Sequence, residues 1–313
     1  MPRFLGLDTS NYTTSAALLD TDAGTVVQAK QLLPVKPGEK GLRQSDAVFH
    51  HTVQLPQVLS EIDLSGETPA GIGVSVRPRN VEGSYMPCFL VGEGTAQMLG
   101  QALGVPVART SHQIGHILAA LWSAGQLRLL HEPFIAFHVS GGTTDCVLCE
   151  PDETLLLKVT PLAASLDLKA GQLIDRVGVM LGLGFPCGAA LEQLAMQSTQ
   201  RFRYRPTMKG ADCCLSGLEN QCRKAYADGM SPADTARMCL MAVGDVLAAM
   251  TARVREQHPG LPVLYAGGVM ADKLLRAPLE GEDRWFAEPA FSCDNAVGTA
   301  IYAAVAAGIE LGG

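Results

Sequence analysis

The sequence predicts an α/β protein built from two similar halves, and three observations carry that prediction. The first is Val139-Ser140-Gly141-Gly142-Thr143-Thr144-Asp145, set between the apolar runs Pro133–Phe137 and Cys146–Cys149; it reads as strand, tight turn, strand. The second is a repeat. Residues 4–20 lie over residues 134–150, so that Phe4 meets Phe134, Ser10 meets Ser140, Thr13-Thr14 meet Thr143-Thr144 and Asp20 meets Glu150. The third is the alternation of short apolar strands with helical patterns beyond each hairpin, which indicates α/β layers.

Paired glycines let a backbone take positive φ and approach a ligand closely. Hydroxyls and free N–H groups in such a turn suit an anion, most often a phosphate. Alone, Ser140–Thr143 is equally an ordinary hairpin turn. Duplicated, it describes two phosphate-hairpin domains facing a cleft, as in the duplicated actin/hexokinase/Hsp70-like ATPase fold. The expected halves are residues 1–124 and 125–313, the second with a helical insertion at about 165–260.

In chain order, residues 3–8, 14–20 and 25–33 read as strands. A helix fits 44–62 through Val48, Val53, Leu55, Val58, Leu59 and Ile62. Residues 71–76 form a buried strand, 77–87 a polar loop with two prolines and two arginines, 88–103 a small-residue helix and 105–108 a strand. Ser111 is a good N-cap for a helix over 112–123. The second half opens with the hairpin and a strand at 154–159. Helices follow at 170–181, 186–198, 216–227 and 232–257, the last announced by Ser231-Pro232, a cap followed by proline at the first helical position. A strand at 261–265 turns through Ala266-Gly267-Gly268-Val269 into a helix ending at Arg276. A final helix covers 295–309.

Composition bounds the function. The chain of 313 residues is 47% hydrophobic and 18% charged, a well-packed globular balance with room for two domains. No apolar run approaches the roughly 20 residues of a membrane span, and the N-terminus lacks a secretory pattern, so no membrane association and a cytoplasmic location are expected. Nine cysteines, several inside apolar runs, read as buried free thiols of a reducing compartment. Cys146 and Cys149 have the spacing of a metal pair, but an offset of three on a strand places them on opposite faces. A formal net charge of −7 means that any nucleic-acid contact uses a local patch or a partner.

His112 and His116 lie four apart on a predicted helix, one turn apart on one face, which suits two metal ligands. The ordinary alternative is one capping and one packing histidine. Gln113 follows His112, so the His-Glu-x-x-His protease pattern is absent. Asp294 at the start of the last helix is by default a cap; it is also a candidate third ligand, and two histidines with one carboxylate leave positions open for water or substrate oxygen. Gly267 and Gly268 are either a simple strand-to-helix turn or a turn lying against an adenosine. Asp175 either hydrogen-bonds a ribose or pairs with Arg176 or another cation. Residues 201–209 hold three arginines, a lysine and two aromatics, which makes a solvated loop or an RNA contact.

Several of these stretches fall in the order of a known family: Leu5–Ser10, His112-Gln-Ile-Gly-His116, Val139–Gly142, Asp175-Arg-Val with Leu181–Gly188, Leu215–Leu218, Ala266–Val269 and Cys293–Ala296. Over nearly its whole length the chain resembles the TsaD family, the tRNA adenosine threonylcarbamoyltransferases once labelled sialoglycoproteases. The resemblance implies an actin-like ATPase fold and one divalent metal, iron or zinc, held by His112, His116 and Asp294. It implies an adenine nucleotide or acyl-adenylate held by His138, Val139, Ser140, Gly141, Gly142, Asp175, Gly188, Gly267, Gly268 and Asp272. The implied activity is transfer of a threonylcarbamoyl group from its adenylate to N6 of adenosine 37 of tRNA, with TsaB- or TsaE-like protein partners. The tRNA would meet Arg201–Lys209.

The chain also departs from the family pattern. Thr143 stands where a histidine is usual, Tyr12-Thr13 where an acidic pair is usual, and Asp272 where an asparagine is usual. The segment 77–87 is longer and more charged, and Cys213–Glu219 is altered. The metal set is kept while substrate-facing turns differ, so a paralogue acting on another acceptor, as a carbamoyl-type transferase or ATPase, is the second reading. A non-catalytic nucleotide-binding partner subunit is the third, and the kept set of His112, His116 and Asp294 argues against it. No residue is singled out as a catalytic acid or base.

Overall fold

The structure, a computed structural model, describes residues 2–10, 12–34, 42–292 and 296–312. It divides into two compact units: residues 1–131 with 151–158 and 290–313, and residues 132–150 with 159–289.

The first unit is built on a five-stranded sheet, ordered β3-β2-β1-β4-β5. Its strands are β1 (Arg3–Asp8), β2 (Thr13–Asp20), β3 (Thr25–Leu32), β4 (Gly71–Arg77) and β5 (Val107–Ser111). β1 runs antiparallel to β2 and parallel to β4. Helices α1 (Gln44–Ser60) and α2 (Phe89–Leu103) cover one face, where Leu5, Leu7, Leu55, Val58, Ile72, Val74 and Ala96 form a core. Helices α3 (His112–Ser123) and α9 (Val297–Ala306) belong to the same unit. α9 lies very close to the sheet because β1 and β4 offer glycine to it. A Cβ at Gly6 would sit 2.2 Å from the Ala296 carbonyl oxygen, and one at Gly73 would sit 1.8 Å from that of Thr299.

The second unit repeats the plan with β6 (Phe134–Val139), β7 (Thr144–Asp152), β8 (Leu156–Ala164), β11 (Val263–Ala266) and β12 (Arg284–Phe286), ordered β12-β11-β6-β7-β8. Read from the β3 and β8 edges, the two sheets have the same order, and β6 runs antiparallel to β7 and parallel to β11, as β1 runs antiparallel to β2 and parallel to β4. The register repeats as well: Phe4 faces Leu19 as Phe134 faces Cys149, and Asp8 faces Ser15 as His138 faces Asp145. The fold is therefore the duplicated α/β fold expected. Helices α4 (Ala170–Met180), α5 (Gly188–Ala195), α6 (Ser216–Ala227), α7 (Pro232–Gln257) and the short α8 (Lys273–Arg276) complete the unit. α7 is long and apolar enough to cross a membrane, but it buries Cys239, Leu240, Val243, Val246, Leu247 and Met250 in this unit's core. Ser231 caps it, its hydroxyl accepting from the Asp234 amide at 3.1 Å, as the Ser-Pro start predicts.

Three short strands and the final helix differ from expectation. β9 (Thr207–Lys209) and β10 (Asp212–Cys214) form a small hairpin around Gly210, and β12 adds an edge strand. Each is three residues long and partly polar, too short to show a period. Described residues place the final helix at Val297–Ala306 rather than 295–309.

Candidate functional site

In the first unit, chemistry gathers at the end of β1 and the start of α3. Ser111 caps α3, its hydroxyl accepting from the Ile114 amide at 3.3 Å, so the helix starts where the sequence predicts. His112 and His116 consequently share one face, with rings 4.3 Å apart between centroids and nearly perpendicular. Their Nε2 atoms are 2.9 Å apart. On the other side of His112, Nδ1 lies 2.8 Å from Asp8 Oδ2. Asp8 is 1% exposed, and its other oxygen accepts from the Ser10 amide at 2.7 Å. The turn is tied down further by Thr9, whose hydroxyl donates to the Cys88 carbonyl and accepts from the Gly92 amide.

With Asp8 accepting from Nδ1–H, neutral His112 presents its lone pair at Nε2. A carboxylate behind a ligating imidazole fixes tautomer and ring orientation and raises basicity. Two imidazole nitrogens at usual metal distances stand about 2.9 Å apart at adjacent octahedral positions and about 3.3 Å apart on a tetrahedral ion. The spacing is that of a hydrogen bond between the two imidazoles and equally that of two ligands on one divalent metal. Among the described residues no three His, Cys, Asp or Glu side chains converge as a complete ligand set. Asp294, the expected third ligand, lies outside the described residues. α9 does approach this helix: a Cβ at Gly298 would sit 1.7 Å from the Gly115 carbonyl oxygen, and Gly115 lies between the two histidines in sequence.

In the second unit, three glycine-bearing turns meet. The Ser140 amide donates to the Thr143 carbonyl at 2.8 Å, and the Ser140 hydroxyl accepts from the Gly142 and Thr143 amides at 3.3 and 3.1 Å. Neither Gly141 nor Gly142 has positive φ, contrary to the reason expected for paired glycine; a Cβ on either would meet nothing within 4 Å, so the turn presents an open backbone face. The N-terminus of α4 sits on this turn. The Gly171 amide donates to the Ser140 carbonyl at 3.1 Å, and a Cβ at Gly171 would lie 2.6 Å from the Gly141 nitrogen. Gly267 does have positive φ, 103°, and a Cβ there would lie 2.2 Å from the Val139 carbonyl oxygen. The end of β11 thus passes hard against the end of β6, where Ala266 pairs with His138. Gly268 and Gly188 have open space at the Cβ position.

Asp175 neither pairs with Arg176 nor stands alone. Its Oδ1 accepts from the Cys187 amide at 2.8 Å, bracing the loop before α5, while Arg176 pairs with Glu219 at 3.1 Å. Asp272 caps α8, with Oδ1 accepting from the Leu275 amide at 2.9 Å. Its second oxygen is buried without a hydrogen-bond partner. Burial first, and nearby Glu192 after it, push this carboxyl up to about 6. Cys146 and Cys149 are both fully buried, and burial raises both thiols far above their usual range, so they form no reactive pair.

The sequence reading missed Asp8 and Gly171. Asp8 was visible in principle, because the repeat lays it over His138, itself a candidate. Gly171 is a helix-interior glycine whose need for closeness appears only in packing. A cavity of about 830 Å³ lined by residues such as Leu127, Leu130, His131 and Ile309 of the first unit contains none of the candidates.

Among solved structures, the chain resembles component A of (R)-2-hydroxyglutaryl-CoA dehydratase from Acidaminococcus fermentans at 15% identity, covering 98% of this chain and 100% of that one with a TM-score of 0.51. It resembles xylulose kinase from Rhodospirillum rubrum at 13% identity, with 99% and 91% covered and a TM-score of 0.58. It also resembles full-length HypF in a phosphate- and nucleotide-bound form at 12% identity, where 96% of this chain covers 46% of that one with a TM-score of 0.57. These likenesses bear on the fold alone. The family model described as tRNA N6-adenosine threonylcarbamoyltransferase matches residues 39–301. Spanning most of the chain, that match makes this protein a member of the TsaD family.

Proposed function

We propose that the protein transfers a threonylcarbamoyl group from its adenylate to N6 of adenosine 37 in tRNA, using one divalent metal and a nucleotide-binding set of glycine turns. The observation that carries this, in a chain of this family, is the pair of imidazole Nε2 atoms 2.9 Å apart with Asp8 behind His112. His112 and His116 would hold the metal. Asp294, four positions before Gly298 in sequence, is proposed as the third ligand. The metal's chemistry would be Lewis-acid polarisation of a donor phosphate oxygen. Asp8 keeps His112 in its ligating tautomer.

On the second unit, the open turn Ser140–Gly142, with the N-terminus of α4 behind it, would hold the nucleotide together with His138, Val139, Asp175, Gly188, Gly267, Gly268 and Asp272. Rigid backbone suits positioning of a labile acyl-adenylate for attack. In the transfer, the N6 amine forms a bond to the carbamoyl carbon, the carbon–oxygen bond to the phosphate breaks, AMP leaves with the electron pair, and the amine loses a proton. Thr143 and Asp272 favour a second reading in which the platform serves another acceptor.

Metal content tests the first half of the proposal. Wild-type protein is expected to purify with about one divalent metal per chain, and the His112→Ala/His116→Ala variant with much less. Equal metal content in a folded double variant contradicts the assignment. Iron and zinc are the metals to assay.

A further inference from the structure

Residues 201–209 alternate strictly in burial. Arg201, Arg203, Arg205, Thr207 and Lys209 are exposed, while Phe202, Tyr204, Pro206 and Met208 are half-buried. A period of two is the mark of an extended chain, and the segment ends in β9. Its inner side is anchored. Tyr204 and Met208 pack on the core of the second unit. The Tyr204 amide donates to Asp245 Oδ2 at 2.9 Å, and the Gln200 carbonyl accepts from Arg237 Nε at 2.8 Å, both partners lying on α7. Tyr204 therefore faces the core instead of offering its ring to a base, and the exposed positions are Thr207 and four cations.

These cations are unengaged. Arg201, Arg203, Arg205 and Lys209 form no ion pair and no side-chain hydrogen bond among the described residues. Several other arginines of the same unit are occupied: Arg176 and Arg223 on Glu219, Arg253 on Glu256, and Arg237 on backbone carbonyls. No acidic residue interrupts 199–210. Asp212, which pairs with Lys209 across the hairpin, spends Oδ1 on the Ala164 amide at 2.7 Å. In a chain of net charge −7, a row of four unneutralised cations on a braced ribbon is an exception that invites an anion.

We propose that the exposed edge of residues 201–209 binds the phosphodiester backbone of an RNA strand, through Arg201, Arg203, Arg205 and Lys209, without reading its bases. The row extends over about 26 Å, with alternate side chains about 6.6 Å apart. Three arginines at alternate positions, and Lys209 beyond Thr207, place four cations along one edge, which suits a polymer with repeating anions. Arginine adds bidentate contacts to phosphate. The choice of RNA over an acidic protein rests on the transferase reading above.

The test is the salt dependence of binding to a fluorescein-labelled, unmodified tRNA transcript, measured by anisotropy. The variant carries Arg201→Gln, Arg203→Gln, Arg205→Gln and Lys209→Gln; the control carries Lys224→Gln and Arg253→Gln, which are exposed on α6 and α7. All four ribbon side chains are exposed, so the variant is expected to keep the wild-type melting curve. It should bind roughly tenfold or more weaker, with the slope of log K against log salt reduced by about 3, the release expected for four phosphates. The control should keep the wild-type slope. An unchanged slope in the ribbon variant overturns the proposal. Failure of wild-type protein to bind tRNA overturns it too, as does displacement of tRNA by poly-glutamate of equal charge. Product formation from threonylcarbamoyl-adenylate, measured separately, keeps the two ideas distinct. Product with an unchanged slope removes the ribbon alone, and an altered slope without product removes the transferase reading alone.

Discussion

At the scale of residues, Asp8 governs how His112 can act. It is buried, it holds Nδ1 at 2.8 Å, and it is itself fixed by the Ser10 amide. Asp8→Asn keeps the shape but no longer favours the Nδ1–H tautomer with a full charge. Metal affinity is expected to fall roughly 10–100-fold, the usual effect of losing such a partner, as measured by competition with a chelator. An unchanged affinity would mean that the carboxylate only packs. Asp272 offers a pH test. Burial pushes its folded carboxyl up to about 6, above the ordinary aspartate value of about 3.9. A raised carboxyl favours the protonated native state, so this stability is full below the unfolded value and is lost as pH rises through about 6. Asp272→Asn retains a capping oxygen for Leu275 and removes that loss. The variant is expected to be more stable than wild type at pH 8, by up to about 3 kcal/mol, with the gain shrinking toward pH 4 in denaturant titrations. Both aspartates also show what a sequence conceals. Asp8 reads as a strand end and Asp272 as a loop residue until neighbours supply burial and a hydrogen-bond partner.

At the scale of elements, α9 and α3 are placed by glycine. Gly73 lies under Thr299 and Gly298 lies against Gly115, with backbone atoms of Thr299 and Gly115 where a Cβ would go. Gly298→Ala must push α9 away from α3, because the obstructing atom is a carbonyl oxygen and cannot rotate aside. The expected cost is about 3 kcal/mol or more, seen in urea unfolding, with reduced metal content because the histidine helix shifts. A neutral substitution would show that the helices tolerate separation. The same element scale explains what was legible. Ser111 and Ser231 announced α3 and α7 through cap chemistry, and both helices begin at the expected residues. The hairpin β9–β10 and strand β12 did not announce themselves, since three residues carry no period and their pairing is set by partners distant in sequence. The basic segment 201–209 was visible as composition. Its alternation became meaningful only when Tyr204 and Met208 proved to face a core.

At the scale of the whole molecule, the duplication was the most legible property. The offset that aligns Phe4 with Phe134 also aligns the strand registers, because register in a hairpin follows from which residues must face the core. The grouping of 290–313 with the first unit was less legible. It depends on Gly6 and Gly73 receiving a helix from nearly 300 residues along the chain, and a single sequence does not pair them. The candidate site was legible as a set of motifs, while its working parts were not: the Asp8–His112 contact and the seat of α4 on Ser140–Gly141 arise from packing. The central claim is that this platform carries out threonylcarbamoyl transfer. The most direct test is mass spectrometry of nucleosides from unmodified tRNA incubated with threonylcarbamoyl-adenylate, the protein and TsaB- and TsaE-like partners. Wild-type protein is predicted to yield N6-threonylcarbamoyladenosine, and the His112→Ala/His116→Ala variant to yield little or none. No product from metal-loaded wild-type protein, or equal product from the variant, would contradict the account.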